Sequence, residues 1–580
     1  ITFGKQGNTT SIGTYTDWEI NGPISFVGGD IVIGVSGNGD LITTGGGAIG
    51  DILLKGSGNI SLEDSISLTT SNGDVILWAN SDGETSNGSV FLRNGSSITT
   101  SGGDVWAGGG SGSTTWNGLT VGDGYAVAGT SFTPSDGGSD GNAGVYFEKV
   151  NIQTVGGDIL IKGDAGSNLW GIVTYGTNSI NAGSGSIEWD GKSSSANPDP
   201  GILFGFHDSV IAGNTSFTSS SSGDAINLKG SSSNGNGIGI DGVATIESTG
   251  TGSIKMLGTG GSAHYGIEIG NYYNGSNLGV YAASGDITLD GGTRGISVIQ
   301  PGNSGLATGD SKLTLGQGGN ISSSTSNVTL VGDVFSVSTT NGLDVNTSGT
   351  FTLEPSGNDF SSAITYPISN LSLSSDVTSL TIGKSATSAD GNSDADVTIG
   401  SATTIAGPIT VYGGDISLSN LAVTSGLGDI KILASGNIID SPNTDYLKLE
   451  TKGGDILLAS DTDGVGGGYI LIDDYVANSD IKRPTFISNG GDITLAGGSV
   501  TGSGFAKGSS TYQRGITLSG PKIHSGDGNS GGGNIVLRGE AYGQNTGIYF
   551  GIYNDPDINS EAGTIYLHGR QASESSIGSN

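Results

Sequence analysis

The sequence predicts an all-β protein whose short strands wind into a parallel β-helix, or β-solenoid, with right-handed coils stacked into an elongated rod. Three observations carry this prediction. The 580 residues include 110 glycines but only 12 prolines. Apolar and polar residues alternate in many short stretches. A Gly-Gly-Asp-like phrase returns mostly at intervals of roughly 20–30 residues, the length of one solenoid coil, or at small multiples of that length.

The composition is typical of turns at high density, because Gly, Ser, Thr, Asn and Asp make up much of the chain. Disorder is not expected, since apolar triplets recur, as in "DILLK" (51–55). In "GDITLDGG" (285–292), Ile287 and Leu289 alternate with polar residues, the period-two pattern of a half-buried strand. No stretch shows the 3.6-residue period of a capped helix.

A coil with one short strand per face cannot bury its apolar side alone, whereas stacked coils share a core and pair through parallel ladders. At about 24 residues and ~4.8 Å per coil, we expect a rod roughly 100–120 Å long. An antiparallel β-sandwich array is the competing architecture. It fits less well, because no two-residue hairpin turn recurs consistently.

The aspartate of the recurring phrase is expected to be architectural. Glycine tolerates positive φ at a coil corner, and the Asp side chain can accept a backbone N–H that closes the turn before the strand. A catalytic pair or a metal site would occur once, whereas this residue recurs in nearly every coil. Its positions are Asp30, Asp51, Asp74, Asp104, Asp158, Asp224, Asp286, Asp415, Asp429, Asp455 and Asp492.

The chain also repeats itself at a longer period. The stretches "GDILLKGSGNI" (50–60) and "GDIKILASGNI" (428–438) share seven of eleven residues. Further matches keep an offset of about 376–388 residues, the fixed period that marks a repeat architecture. We therefore predict a first full solenoid module at 1–379 and the first half of a second, homologous module at 380–580.

Charge and cysteine content exclude several classes of partner and site. The formal net charge of −33 repels nucleic acid and anionic lipid, so neither is an expected partner. With no cysteine there is no disulfide framework or thiolate metal site. No run of roughly 18 apolar residues predicts membrane insertion. Because the chain begins at Ile1 without Met, we expect a piece of a longer protein, with any export signal outside it.

Calcium is the one cofactor that the sequence suggests. The acidic stretch "DGNSDAD" resembles the start of an oxygen-ligand loop, in which hard carboxylates converge on one ion. It lacks the glycine at the sixth position and the glutamate at the twelfth, and module one has no comparable run, so an exposed acidic loop is the alternative. The candidate ligands are Asp390, Asn392, Asp394 and Asp396.

Aromatic residues mark a second candidate site. All six tryptophans lie in module one, and the alignment of the modules places Trp189 and Ile187 at inward core positions. In contrast, Trp116 and Tyr125 belong to a loop (108–144) that is longer than its counterpart in module two. Long loops on a rigid scaffold carry contacts to ligands or partners, so both are candidate ligand-binding residues. The alternative is a loop that folds its own aromatics back onto the coil.

We predict that the chain is not an enzyme. Its four histidines lie far apart and in no recognisable motif, and no nucleophile elbow, zinc motif or phosphate loop is present. Parallel β-helices do include polysaccharide lyases and hydrolases, so a polysaccharide-degrading enzyme is kept as a less favoured alternative. The histidines are His207, His264, His524 and His568.

The phrases "GDILLKGSGNI" (50–60), "GKSATSADGNSDADVTIGSATTIAGPITVYGGDI" (383–416) and "GGDITLAGGS" (490–499) resemble the long repeats of giant secreted surface proteins of Bacteroidetes, which are similar to filamentous-haemagglutinin-type adhesins. The resemblance implies an extracellular β-helical fibre used in attachment, in gliding or as a hook-like appendage. The N-terminal secretion domain of the haemagglutinins is absent from this sequence, so the export route stays open.

Two functional hypotheses follow. In the first, the chain is a structural segment of a long extracellular surface fibre that serves adhesion or cell–cell attachment, as a homo-oligomer or a bundle of identical chains. In the second, it is a binding module whose surface loops contact a cell-surface glycan or protein. Both place it outside the cell, secreted and at the cell surface.

Overall fold

The computed structural model confirms the predicted all-β class and shows parallel strands stacked in register, as in a β-solenoid. It describes residues 1–83, 88–129, 142–166, 169–206, 213–270, 276–299, 310–340, 342–385, 394–440, 446–473, 483–529, 531–551 and 555–572.

The chain divides into two compact units. Unit 1 comprises residues 1–347 and 370–372, and unit 2 comprises residues 348–369 and 373–580. This division rests on contacts, whereas the module boundary at 379/380 rests on sequence similarity and stays a prediction. One short strand, Leu371–Leu373, falls at the division.

Each coil of unit 1 places a strand on each of three faces. The first face holds Thr2–Gly4, Ile24–Gly28, Ile52–Gly56, Val75–Trp78, Val105–Trp116, Ile159–Asp164, Ile187–Ser193, Asp224–Ser232, Ser253–Thr259, Ile287–Asp290 and Val328–Val331. The second holds Ile12–Gly13, Ile31–Ile33, Ile60–Leu62, Val90–Leu92, Ala143–Glu148, Trp170–Tyr175, Ile202–Phe204, Ile238–Ile240, Ile267–Ile269, Ile296–Val298 and Phe335–Val337. The third holds Trp18–Ile20, Leu41–Thr43, Ser67–Thr70, Ser97–Thr100, Asn151–Gln153, Thr177–Gly183, Asn214–Ser219, Val243–Ser248, Asn277–Ala282, Lys312–Gly316 and Leu343–Asn346.

Three further features complete unit 1. Strands Leu119–Gly124 and Ala126–Val127 follow the long strand of the first face. The 3₁₀ helices are Gly47–Gly50 and Gly292–Arg294. Within the described ranges no helix is long and apolar enough to cross a membrane.

Unit 2 has the same three-faced coils. Its first face holds Thr350–Glu354, Ser379–Ile382, Ile409–Gly413, Ile430–Ala434, Ile456–Ser460, Ile493–Gly497, Ala506–Lys507, Ile535–Ala541 and Ile565–Gln571. The second holds Ile364–Tyr366, Val397–Ile399, Ile416–Leu418, Ile438–Asp440, Ile470–Ile472, Ile516–Leu518 and Ile548–Phe550. The third holds Thr403–Ile405, Leu421–Val423, Lys448–Glu450, Thr485–Ile487, Lys522–His524 and Asp557–Asn559.

The core includes β-branched residues that are stacked directly above one another. On the first face of unit 1 each inward position pairs in register with the same position of the next coil. All these side chains are at most 1 % exposed, and full burial of such a side chain contributes about 1.5–3 kcal/mol. The stack runs through Ile24, Ile52, Val75, Val105, Ile159, Ile187, Ile226, Ile254, Ile287 and Val328.

Aspartates at one corner of unit 1 connect successive coils. The Oδ1 atom of Asp51 accepts the backbone N–H of Asp74 at 3.0 Å. Asp74 in turn accepts the N–H of Asp104, and Asp104 accepts that of Asp158, both at 2.7 Å. The architectural role expected of these residues is therefore observed, but the bond reaches the following coil instead of closing the turn of its own coil. We call these four residues the corner ladder.

Unit 2 builds an equivalent ladder before its first-face strands. Its members accept the next backbone N–H at 2.6–2.9 Å. The last acceptor is an asparagine amide, whose Oδ1 binds the N–H of Thr564 at 3.0 Å. An uncharged amide thus serves at this position as well as a carboxylate does. The members are Asp429, Asp455, Asp492 and Asn534.

Candidate functional site

The loop that the sequence marked as a candidate site begins as a β-hairpin. Strands Val105–Trp116 and Leu119–Gly124 pair antiparallel, with Trp116 opposite Leu119. The two turn residues, Asn117 and Gly118, have φ values of 47° and 84°. An Asn-Gly pair with positive φ at both positions matches the twist of the flanking strands. The side-chain amide of Asn117 also donates to carboxylates of the corner ladder at 2.7 and 3.0 Å.

This hairpin covers apolar side chains on the outer surface of the first face. Ile76, Trp78 and Trp106 point away from the coil interior, yet each is at most 7 % exposed. They form a cluster with Val121 of the hairpin, and the indole N–H of Trp78 donates to a hairpin carbonyl at 2.8 Å. The hairpin therefore closes a second, external core. Leu53, Trp116, Leu119 and Leu160 pack against it and are partly buried.

Trp116 is thus held against the coil while part of its ring stays accessible. In module two the connection at the same place is shorter, with an antiparallel bridge between Gly497 and Gly504. The external core with its tryptophans therefore belongs to unit 1.

Tyr125 lies beyond the hairpin in a charged environment. Its hydroxyl donates to Oδ2 of Asp190 at 2.6 Å. The ammonium groups of Lys192 and Lys162 lie 3.8 and 4.6 Å from the centre of its ring, a cation–π arrangement. Burial and the Asp190 carboxylate raise the pKa of the Tyr125 hydroxyl. Its ring and the two lysines form a polar surface beside the external core.

The predicted calcium ligands are only partly described. Asp390 and Asn392 lie outside the described residues. Asp396 makes a bond of the same kind between coils of unit 2, because its Oδ1 accepts the backbone N–H of Asp415 at 2.9 Å. Asp394 lines a cleft of about 530 Å³ in unit 2. Within the described ranges no three His, Asp or Glu side chains converge as a metal site would require, and calcium stays a prediction.

Among the described residues, His524 and His568 lie on strands of different faces of unit 2. His207 lies outside the described residues. The Nε2 atom of His524 lies 2.9 Å from a carboxylate oxygen of Asp557 and lowers the pKa of that carboxyl. His568 packs edge-on against Phe505.

The core role expected of Trp189 and Ile187 is confirmed, since they are 0 and 1 % exposed. Trp189 stacks on Phe147 at 4.7 Å and meets Phe217 edge-on at 4.8 Å. This tryptophan is therefore part of the coil interior and not of a surface site.

Comparisons of the chain with protein-family models, with curated proteins and with solved structures give no match.

Proposed function

We propose that the chain is a structural segment of a long extracellular surface fibre that serves adhesion or cell–cell attachment. The observation that carries this proposal is the coil-to-coil register, maintained by the core stacks and the corner ladder. Every coil is held by its neighbours, so length is added without a change in the bonding of the existing coils. Such a stack suits a spacer that keeps an adhesive element away from a cell.

The proposal includes location and assembly. A formal charge of −33 keeps such a segment soluble and repels anionic surfaces. We propose that the segment is secreted and displayed at the cell surface, and that identical chains associate in the fibre. Stiffness would rise with the number of chains in a bundle.

Immunogold electron microscopy of the producing cells tests this proposal. Antibodies raised against the 1–580 chain are expected to label filaments that project from the surface. Label that stays inside the cells, or on compact surface particles, would contradict it.

A second candidate is glycan binding by the hairpin of unit 1. The observation in its favour is that Trp116 and Tyr125 both offer partly accessible rings, with the polar groups of Asp190, Lys162 and Lys192 around Tyr125. Aromatic faces with adjacent hydrogen-bonding groups suit the apolar and polar faces of a sugar. Glycan-array binding that disappears in Trp116→Ala and Tyr125→Ala would support this candidate, and binding unaffected by both would exclude it.

A further inference from the structure

Each unit has a cleft at the same corner of its coils. The unit 1 cleft has a volume of about 250 Å³, and the unit 2 cleft has one of about 530 Å³. Three pairs of lining residues are identical between the clefts. They are Gly28 and Gly413, Ser57 and Ser435, and Asp82 and Asp463.

Two backbone features recur in both clefts. Ser57 donates its N–H to the carbonyl of Gly28 at 2.9 Å, and Ser435 donates to that of Gly413 at 3.0 Å. The adjacent glycine turn has a φ of 77° at Gly83 in unit 1 and 73° in the equivalent turn of unit 2. The cleft is therefore a recurrent feature of the coil, and the two copies differ in the side chains placed around it.

Those side chains make the two clefts chemically different. Tyr412 and Leu433 line the unit 2 cleft where Val27 and Lys55 line that of unit 1. In unit 1 the ammonium of Lys55 lies 3.3 Å from the ring centre of Trp78. The unit 2 cleft falls in the range of about 300–1,000 Å³ that small-molecule sites occupy, and the unit 1 cleft falls below it.

Acceptors for hydrogen bonds converge on the unit 2 cleft. The Oδ1 atom of Asp463 accepts the backbone N–H of Val465 at 3.0 Å. Its Oδ2 atom makes no hydrogen bond within the described residues. Asp359 accepts two backbone N–H groups, at 2.6 and 2.8 Å, and is fixed in place. Asp394 also lines the cleft. Carboxylate oxygens in such positions accept hydrogen bonds from ligand hydroxyls.

Hydroxyl and apolar groups complete the lining. Ser385, Ser435, Thr462 and Ser499 can both donate and accept hydrogen bonds. Tyr412, Leu433 and Val500 supply the apolar part. A ligand that fits carries many hydroxyls and one apolar face, which describes a pyranose ring.

The charges of the residues that line the unit 2 cleft restrict the class of ligand further. Three lining carboxylates, Asp359, Asp394 and Asp463, face one lining ammonium, that of Lys384. An anionic sugar would be repelled by the surplus carboxylates. We propose that the unit 2 cleft is a binding site for a neutral saccharide, with Tyr412 against the sugar ring and with Asp394 and Asp463 accepting hydrogen bonds from its hydroxyls. This site lies in a different unit from the hairpin and goes beyond a spacer role.

Isothermal titration of the full 1–580 chain tests the proposal. The probes are neutral tetrasaccharides of glucose, galactose, mannose, xylose and N-acetylglucosamine, with tetragalacturonate as the anionic comparison. At least one neutral probe is expected to bind at least tenfold more tightly than tetragalacturonate. If no neutral probe binds, or if only tetragalacturonate does, the proposal is overturned.

Two variants locate the site. Tyr412→Val introduces the residue found in unit 1 and is expected to weaken binding at least tenfold, as is Asp463→Ala. Tyr566→Val makes the same change at a 44 % exposed position of unit 2 and serves as the control that leaves affinity unchanged. Circular dichroism establishes that each variant is folded. Binding that survives Tyr412→Val and Asp463→Ala, or that is lost only in Trp116→Ala, overturns the assignment to this cleft.

Discussion

The ammonium nitrogen of Lys507 lies 2.8 Å from a carboxylate oxygen of Asp461, whose side chain is fully buried. The equivalent residues of unit 1 are Asn80 and Val127. Asn80 and Asp461 adopt the same left-handed conformation, with φ of 49° and 52°. Val127 and Lys507 both donate their backbone N–H to a glycine carbonyl, at 3.0 and 2.7 Å. The same corner of the coil therefore carries neutral side chains in unit 1 and an ion pair in unit 2.

Replacing Lys507 alone is expected to destabilise unit 2. Burial raises the pKa of Asp461 and the Lys507 ammonium opposes that shift, so Lys507→Val leaves a buried carboxylate without its counter-charge. We expect a loss of about 2–3 kcal/mol, below the value for a fully buried pair because Lys507 is 36 % exposed. Thermal unfolding, with hydrogen exchange of peptides that cover Ile456–Ser460, measures it.

The double variant Asp461→Asn with Lys507→Val supplies the control, because it reproduces the neutral pair of unit 1. Its stability should return to within about 1 kcal/mol of the original chain. Tryptophan fluorescence should not change in either variant, since all six tryptophans lie in unit 1. A double variant as unstable as Lys507→Val would refute the assignment.

The corner ladder predicts that Asp74 can be replaced by asparagine but not by alanine. Asparagine keeps an oxygen that accepts the N–H of Asp104, as Asn534 does in unit 2. Alanine removes that acceptor, at a cost of about 1 kcal/mol. Urea unfolding, followed by tryptophan fluorescence, compares the two variants. Equal losses in the free energy of unfolding would show that the side-chain hydrogen bond does not contribute to stability.

The ladder carboxylates are expected to add stability to unit 1 as the pH falls from neutral toward 3.8, the ordinary pKa of an aspartate. Burial raises the pKa of Asp51, Asp74 and Asp104 above the ordinary value, and neighbouring ladder carboxylates raise it further for Asp74 and Asp104. Their ionised forms therefore disfavour the folded state above the folded-state pKa, and protonation relieves this penalty. Melting temperatures measured by tryptophan fluorescence should increase over this range, and less steeply in Asp74→Asn. A fall in melting temperature would contradict the expected sign.

The hairpin should stabilise unit 1 through its external core. Trp116→Ala removes part of the cover over Trp78 and Trp106, and we expect a loss of about 1–2 kcal/mol because Trp116 is only partly buried. Tryptophan emission should shift to longer wavelength as water reaches the remaining indoles. Tyr15→Ala, at a 61 % exposed position of unit 1, is the control and should stay within about 0.5 kcal/mol of the original chain. An unchanged spectrum in Trp116→Ala would argue against the external core.

The fold class was predictable because it depends on local signals. Alternation of apolar residues defines the strands, and the repeated Asp phrase marks the coil corner. The partner of each Asp was not predictable, since ladder partners are 23, 30 and 54 residues apart. These unequal loops hide the coil register, which only the stacking of the strands determines.

The contacts of the candidate sites were also hard to predict where they join residues far apart in the sequence. The Asn117-Gly118 dipeptide is a recognised hairpin signal, and it could have predicted the antiparallel pair within the long loop. The bond from Tyr125 to Asp190 spans 65 residues and has no local signal. The unit 2 cleft gathers Asp359, Tyr412 and Asp463 from three different coils, so its existence follows from the register alone.

The corner ladder bears on the order in which the chain acquires its structure. Asp51, Asp74 and Asp104 each accept a backbone N–H from a residue later in the sequence. A completed coil therefore presents the acceptor to which the next coil binds. We expect a chain released gradually from its N-terminal side to fold in the order of its release, with the growing edge of the stack open to premature pairing until the next coil covers it.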